Sequence, residues 1–225
     1  MVSQGPVSED YPQQPVGKPS PSRVFLLSPA NTSALRGQLL LNKDSQFELA
    51  HRIRRQGASL GEIFSFISSL YFRGKLAYAK AFGNSPPGVP PMLTLTTSRG
   101  LLPPDTTITL NDLMEMSGVP IDLGDRRYRE PLLRDARALA TQLPPDSKIV
   151  LLGSVATGKY VDPLLEVFGP YLVFPERFVG RGDMSRGGLM LRCAESRLEL
   201  DYVPAASAIR RGTRPPKLSS LKTRV

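Results

Sequence analysis

Short apolar runs alternate along this chain with longer segments whose apolar residues recur at helical spacing. RVFLLS (23–28), MLTLTT (92–97), KIVLL (148–152) and YLVF (171–174) read as strands. The first three are so uniformly apolar that both of their faces must be covered. Between them, SQFELAHRIRRQ (45–56) places Phe47, Leu49, Ala50 and Ile53 on one helical face, with Ser45 as N-cap. SLGEIFSFISSLYFRGKLAYAKAF (59–82) reads as one long helix opened by the capping box Ser59/Glu62. RYREPLLRDARALATQL (127–143) is amphipathic, with Leu132, Leu133, Ala136, Leu139 and Ala140 together. GKYVDPLLEVF follows the third strand as a helix. Pro163 belongs in a first turn, so its start is expected near Asp162. LMLRCA (189–194) and RLELDYV (197–203) read as an antiparallel hairpin at the sheet edge. The predicted fold is α/β, a single mostly parallel sheet flanked by helices with a C-terminal antiparallel hairpin.

Composition sets the boundaries. The chain of 225 residues suits one domain, placed at 23–204, and its 22 prolines and 19 glycines call for many turns. Residues 1–22, rich in Pro, Ser and Gln, read as a disordered leader, and 205–225 as a basic disordered tail. One cysteine, Cys193, excludes an internal disulfide, and one histidine, His51, excludes a His-rich zinc site and any histidine triad not built on it. No metal or cofactor is indicated. No apolar run approaches the roughly 20 residues that span a bilayer, and the first residues lack a signal-peptide core. A cytoplasmic protein without a membrane partner is expected. The net charge is +9, and Arg210, Arg211, Arg214, Lys217, Lys222 and Arg224 near the C-terminus supply much of it. Such a tail can hold nucleic acid or an acidic protein surface electrostatically, or stay solvated.

In a parallel sheet, ligands bind at loops beyond the carboxyl ends of the strands. Three such loops, SPANTS (28–33), TSRGLLPPD (97–105) and GSVATGK (153–159), open on one rim if their strands are neighbours. The last spells G-x-x-x-x-G-K, yet Tyr160 follows where a magnesium-binding Ser or Thr belongs. Tyr160, and Asp162-Pro163 so soon after the lysine, argue against a nucleoside-triphosphate loop; a nest of backbone amides for another anion and a tight strand-to-helix turn stay open. FVGRGDMSRGGL (178–189) sets Arg181 and Arg186 on a glycine-rich loop. These arginines suit phosphate or carboxylate, or serve an internal pair with Asp183. In LYFRGKLAYAKAF, Arg73, Lys75 and Lys80 alternate with Tyr71, Phe72 and Tyr78. The pattern suits base stacking, or a core face with cations in solvent, and the second is expected. Gly74 in mid-helix implies a close backbone approach or a ligand, since it costs roughly 1 kcal/mol against alanine.

TLTTSRGLLPPDTTI resembles the hallmark of a bacterial superfamily whose strand runs into Ser-Ala-Lys-Tyr-Gly-Leu-Leu-Pro-Pro-Asp, and FLLSPANTS resembles the first loop of YaaA-like peroxide-stress proteins. LYFRGKLAYAKAF is similar to the helix those families place between the two, and the likeness spans about 24–165. It marks Ser28, Pro29, Ala30 and Thr32 in the first loop and Gly100, Leu101, Leu102, Pro103, Pro104 and Asp105 in the second. Asn31 replaces the family lysine of the first loop, and Ser98 and Arg99 replace a Lys-Tyr pair. The resemblance implies DNA binding and protection from oxidative damage.

Taken together, the expected function is binding of an anionic ligand, nucleic acid or nucleotide-like, at the strand-end loops. Arg99, Lys159, Arg181 and Arg186 would supply charge, Ser28, Asn31, Ser98 and Thr157 hydrogen bonds, and the Gly153–Gly158 turn backbone amides. The alternatives are an enzyme acting on a nucleoside, sugar or phosphorylated metabolite, with Asp105 or Asp183 as acid/base, and a scaffold docking an acidic partner through its tail.

Overall fold

A computed structural model describes residues 21–216 and 218. β1 (Arg23–Leu27) leads through α1 (Leu35–Leu41) and α2 (Glu48–Arg55) to β2 (Ala58–Ser59), α3 (Leu60–Ser68) and α4 (Leu70–Phe82). β3 (Met92–Leu95) folds back into β4 (Leu101–Leu102), and β5 (Thr107–Ile108) precedes α5 (Leu110–Ser117) and α6 (Arg126–Gln142). Then come β6 (Lys148–Leu152), α7 (Gly158–Phe168), β7 (Leu172–Pro175), α8 (Asp183–Ser196) and β8 (Tyr202–Pro204). The main sheet runs β4-β3-β1-β6-β7-β8, its inner strands parallel and its two edge strands antiparallel. The fold is α/β, as the alternation predicts.

Strand side chains alternate between faces, and here the alternation divides the core in two. Phe25 and Leu27 join Val150, Leu152 and Val173 on one face, beneath α1 to α5 and α8. Val24 and Leu26 join Ile149, Leu151, Leu172 and Phe174 on the other, beneath α6 and α7. Both clusters exclude water, which is why these strands carry no polar stripe.

Several expectations are corrected. LMLRCA is not a strand: residues 189–194 lie in α8, where Leu189, Met190 and Cys193 share the buried helical face with Arg186 and Gly187. Of RLELDYV only Tyr202 and Val203 enter a strand, and β8 pairs with β7 rather than with 189–194. The 59–82 helix is two helices, split at Ser69, whose φ of 44° lies in the left-handed region. Ser59 does cap the first of them through the Glu62 N–H. α2 starts at Glu48 with Phe47 at the N-cap position, while Ser45 Oγ donates instead to the Leu39 carbonyl at 2.6 Å. α7 starts at Gly158, directly after the glycine loop and well before Asp162.

That early start leaves Pro163 inside the helix, without an N–H for the Lys159 carbonyl one turn before it. The buried Tyr128 hydroxyl donates to this carbonyl at 2.8 Å. Tyr128→Phe is therefore expected to cost about 1–2 kcal/mol, because it strands a buried acceptor. Urea denaturation checks this, and an unchanged midpoint would mean that water reaches the carbonyl.

The expected leader lies, apart from Pro21 and Ser22, outside the described residues, as do Lys217 and 219–225 of the tail. The part of the tail that is described follows the body. The Ala205 N–H donates to the Leu172 carbonyl at 2.8 Å, Arg210 pairs with Asp162 at 3.3 Å, and Arg211 Nε donates to the Ala156 carbonyl at 3.0 Å. Among the described residues no helix is long and apolar enough to cross a membrane.

Candidate functional site

The parallel strands lie in the order β3-β1-β6-β7. The chain therefore steps from β1 outward to β3 and then back past β1 to β6, so the loops after β1 and β6 diverge to opposite faces. A crevice at such a reversal is the ligand position of open α/β sheets. A cleft of about 780 Å³ opens there, lined by both loops, by the ends of α3 and α5, and by the first turns of α7 and α8.

One wall is the loop after β6. Gly153 permits close contact with the neighbouring strand, since a Cβ at this position would come within 2.8 Å of Ser28 Cβ. From Ser154 to Tyr160 no backbone N–H finds an acceptor among the described residues, and the Thr157 side chain does not cap α7. Free N–H groups at the start of an eleven-residue helix carry its positive end. Lys159 lies beside them, its Nζ 5.1 Å from the Tyr160 ring centre, and Arg211 on the Ala156 carbonyl adds charge to the same loop. Tyr160 is 5% exposed and lines the cleft, so an aromatic wall stands where the triphosphate-loop spelling has a hydroxyl for magnesium.

The floor is built by α4. Lys75 is completely buried, with Nζ donating to the Ser28 carbonyl at 2.8 Å and lying 2.7 Å from Ser28 Oγ. The Tyr71 ring covers it at 3.9 Å and the Phe72 ring at 5.3 Å. Burial pulls the Lys75 ammonium down to about 7; Asp183 works against this drop and Arg186 adds to it. The Tyr71 hydroxyl is itself buried in the cleft without a hydrogen-bond partner, and burial pushes it up to about 12, with Arg186 pulling the other way.

Ser28, Asn31, Thr157, Lys159 and Asp183 all line this cleft, and Gly153 and Gly158 shape its loop. The other expected residues lie elsewhere. Ser98 Oγ donates to Glu115 at 2.8 Å, and Arg99 is held by Asp112 at 2.7 Å and Glu115 at 2.6 Å, so the turn after β3 faces α5 with its charge matched. Arg181 Nε donates to the Arg177 carbonyl at 2.9 Å, and its side chain lines a separate groove with Arg192. Arg186 is buried against α4, clamping the Phe178 carbonyl at 3.1 and 3.2 Å and pairing with Asp183 at 3.4 Å. Asp105 sits in another depression, with Lys80 and Pro103. Only Thr97 of the second loop reaches the cleft.

Lys75 is corrected most. The alternation of cations and aromatics places it in solvent with Arg73 and Lys80, but only those two are exposed. Its position four residues after Tyr71 and three before Tyr78 puts it on the buried face of α4, and that spacing was the available signal. Ser68 and Ser117 in the lining belong to no motif, while Tyr71 and Tyr160 stand in segments already singled out without being assigned to the site. Among the described residues, no group of three or more His, Cys, Asp or Glu side chains gathers to hold a metal ion. Comparison of the chain with protein-family models, with curated proteins and with solved structures gives no match.

Proposed function

We propose that this cleft binds a small phosphate-bearing anion of nucleotide size, its phosphate seated against residues 154–160. The observation that carries the reading is the run of backbone N–H groups without acceptors at the start of α7, beside Lys159 and facing a cleft that also holds the unpartnered Tyr71 hydroxyl. The cleft volume lies within the usual range for small-ligand sites. Hydroxyls of Ser33, Ser68, Ser117 and Thr157 supply contacts for the rest of the ligand. The likeness of the first two loops to YaaA-like proteins, which implies DNA binding, is compatible with either a nucleic acid or a nucleotide-like molecule. A long nucleic-acid track is less well supported, because Arg99 and Arg210 are committed to Asp112, Glu115 and Asp162.

Thermal shift of the full chain with inorganic phosphate, ribose 5-phosphate, AMP and a short oligonucleotide, at low and high salt, tests this. The phosphorylated small molecules are expected to stabilise the protein at both salt levels. Lys159→Ala is expected to weaken them about tenfold, the worth of one charged hydrogen bond. If the small anions give no shift while the oligonucleotide binds only at low salt, the pocket reading fails and the basic surface carries the function.

A further inference from the structure

We propose that Ser28 and Lys75 form a nucleophile–base pair that cleaves acyl esters or thioesters held in the cleft. Two features set Lys75 apart from a structural tether. It is wholly enclosed, yet among the described residues no carboxylate forms an ion pair with it. Its Nζ also reaches both oxygens of one serine, the carbonyl at 2.8 Å and Oγ at 2.7 Å. The carbonyl bond fixes one N–H, and the Tyr71 and Phe72 rings flank the amine at 3.9 and 5.3 Å, leaving its Ser28 side toward the cleft. As an ammonium Nζ donates to Ser28 Oγ; once neutral, it can instead accept the hydroxyl proton across the same 2.7 Å, within the distance a general base needs. A lysine serving a serine in this way is a known variant of the serine nucleophile arrangement. The charged and titratable groups around the pair are Asp183 and Arg186 from α8 and Tyr71 from α4 itself. Among them, burial dominates and keeps the amine largely neutral above about pH 7.

The chemistry balances within the site. Ser28 Oγ bonds to the substrate carbonyl carbon as its proton passes to Lys75 Nζ. The tetrahedral oxyanion accepts hydrogen bonds from free backbone N–H groups of the loop that meets Ser28 at Gly153. Collapse breaks the bond to the alkoxide or thiolate, which takes the proton from Lys75. Water then attacks the acyl-Ser28 carbonyl with Lys75 again as base, releasing the carboxylic acid and restoring the Ser28 hydroxyl. That an anionic end of the substrate lies against residues 154–160 rests on the proposed function, whereas the acyl step does not.

The test is labelling of the full chain by a fluorophosphonate probe, followed by intact mass and peptide mapping, with p-nitrophenyl acetate turnover alongside. One adduct per chain is expected, on Ser28, and Ser28→Ala abolishes it while still unfolding cooperatively. The labelling rate is expected to rise about tenfold from pH 6 to pH 8, following deprotonation of Lys75. Lys75→Met is expected to slow it at least about a hundredfold. Lys75→Arg retains a donor for the Ser28 carbonyl but no base, and is not expected to rescue. Absence of label on Ser28 at any pH overturns the proposal, as does a flat pH profile in the wild-type protein. That profile decides even if the Lys75 variants do not fold. The phosphate-induced thermal shift of the wild-type protein, run in parallel, reports on anion binding alone, so the two readings fail separately.

Discussion

Gly74→Ala is expected to destabilise the protein by about 2–3 kcal/mol, although alanine in a helix interior normally gains roughly 1 kcal/mol over glycine. The reason lies across the helix crossing. A Cβ at Gly74 would sit 2.6 Å from the Gly187 carbonyl oxygen and 2.9 Å from Gly187 Cα. A Cβ at Gly187 would in turn sit 2.7 Å from the Leu70 carbonyl oxygen and 2.8 Å from Tyr71 Cα. These neighbours are backbone and cannot rotate aside, so either methyl pushes α4 and α8 apart and loosens Phe72, Leu189 and Met190 in the shared core. Urea denaturation measures the loss. Once the first methyl has separated the helices, the second costs less, so Gly74→Ala with Gly187→Ala is expected to cost less than the sum of the singles. A Gly74→Ala protein more stable than wild type would mean that the helices slide freely, and the tight crossing would then have no energetic role. The crossing also bears on function, because α4 supplies Tyr71 and Lys75 and α8 supplies Asp183 and Arg186.

Lys75→Met is expected to make the protein more stable at pH 7 and to lose much of that advantage by pH 9. Burial lowers Lys75 from its ordinary 10.5 to about 7 in the folded protein. Between those values the unfolded chain holds a proton that the folded chain does not, so wild-type stability rises with pH through this window. Below about pH 7 both states are protonated and the cost of the buried ammonium is complete. Methionine fills the same space without titrating, at the loss of both hydrogen bonds to Ser28. The stability difference between variant and wild type should therefore shrink by about 2–3 kcal/mol from pH 7 to pH 9, near 1.4 kcal/mol for each pH unit. Urea denaturation of both proteins at the two pH values reads it directly. A constant difference would mean that the Tyr71 face and the Ser28 oxygens solvate an ammonium with an ordinary affinity for its proton. Lys75 could not then act as a base near neutrality.

Much of the fold could be read locally. The runs at 23–27, 92–95 and 148–152 are strands whose residues after the first position are all buried, because both faces of the sheet are covered. The Ser59 cap and the amphipathic 126–142 helix follow from hydrogen bonding and periodicity within a few residues. The 189–194 run failed because five apolar or small residues in six fit a strand as well as a helix. Its true period emerges only when Arg186 and Gly187 are seen to face α4. Pro163 likewise pointed to a helix starting later than it does, since nothing nearby in sequence reveals that Tyr128, in another helix, satisfies the carbonyl the proline leaves open.

What the sequence determined by itself, then, was a set of short-range preferences: most of the segments that are strands or helices, that the sheet is mostly parallel, and which loops follow its central strands. Which loops meet was decided only by the tertiary structure. The order β3-β1-β6-β7 sets the first loop against the glycine loop and turns Arg99 toward the acids of α5. It also encloses Lys75 at the Ser28 turn, 47 residues away in the chain. Contacts of that kind depend on strand order and helix crossing, and a local pattern of apolar and polar residues encodes neither. The chemistry of this cleft rests on them.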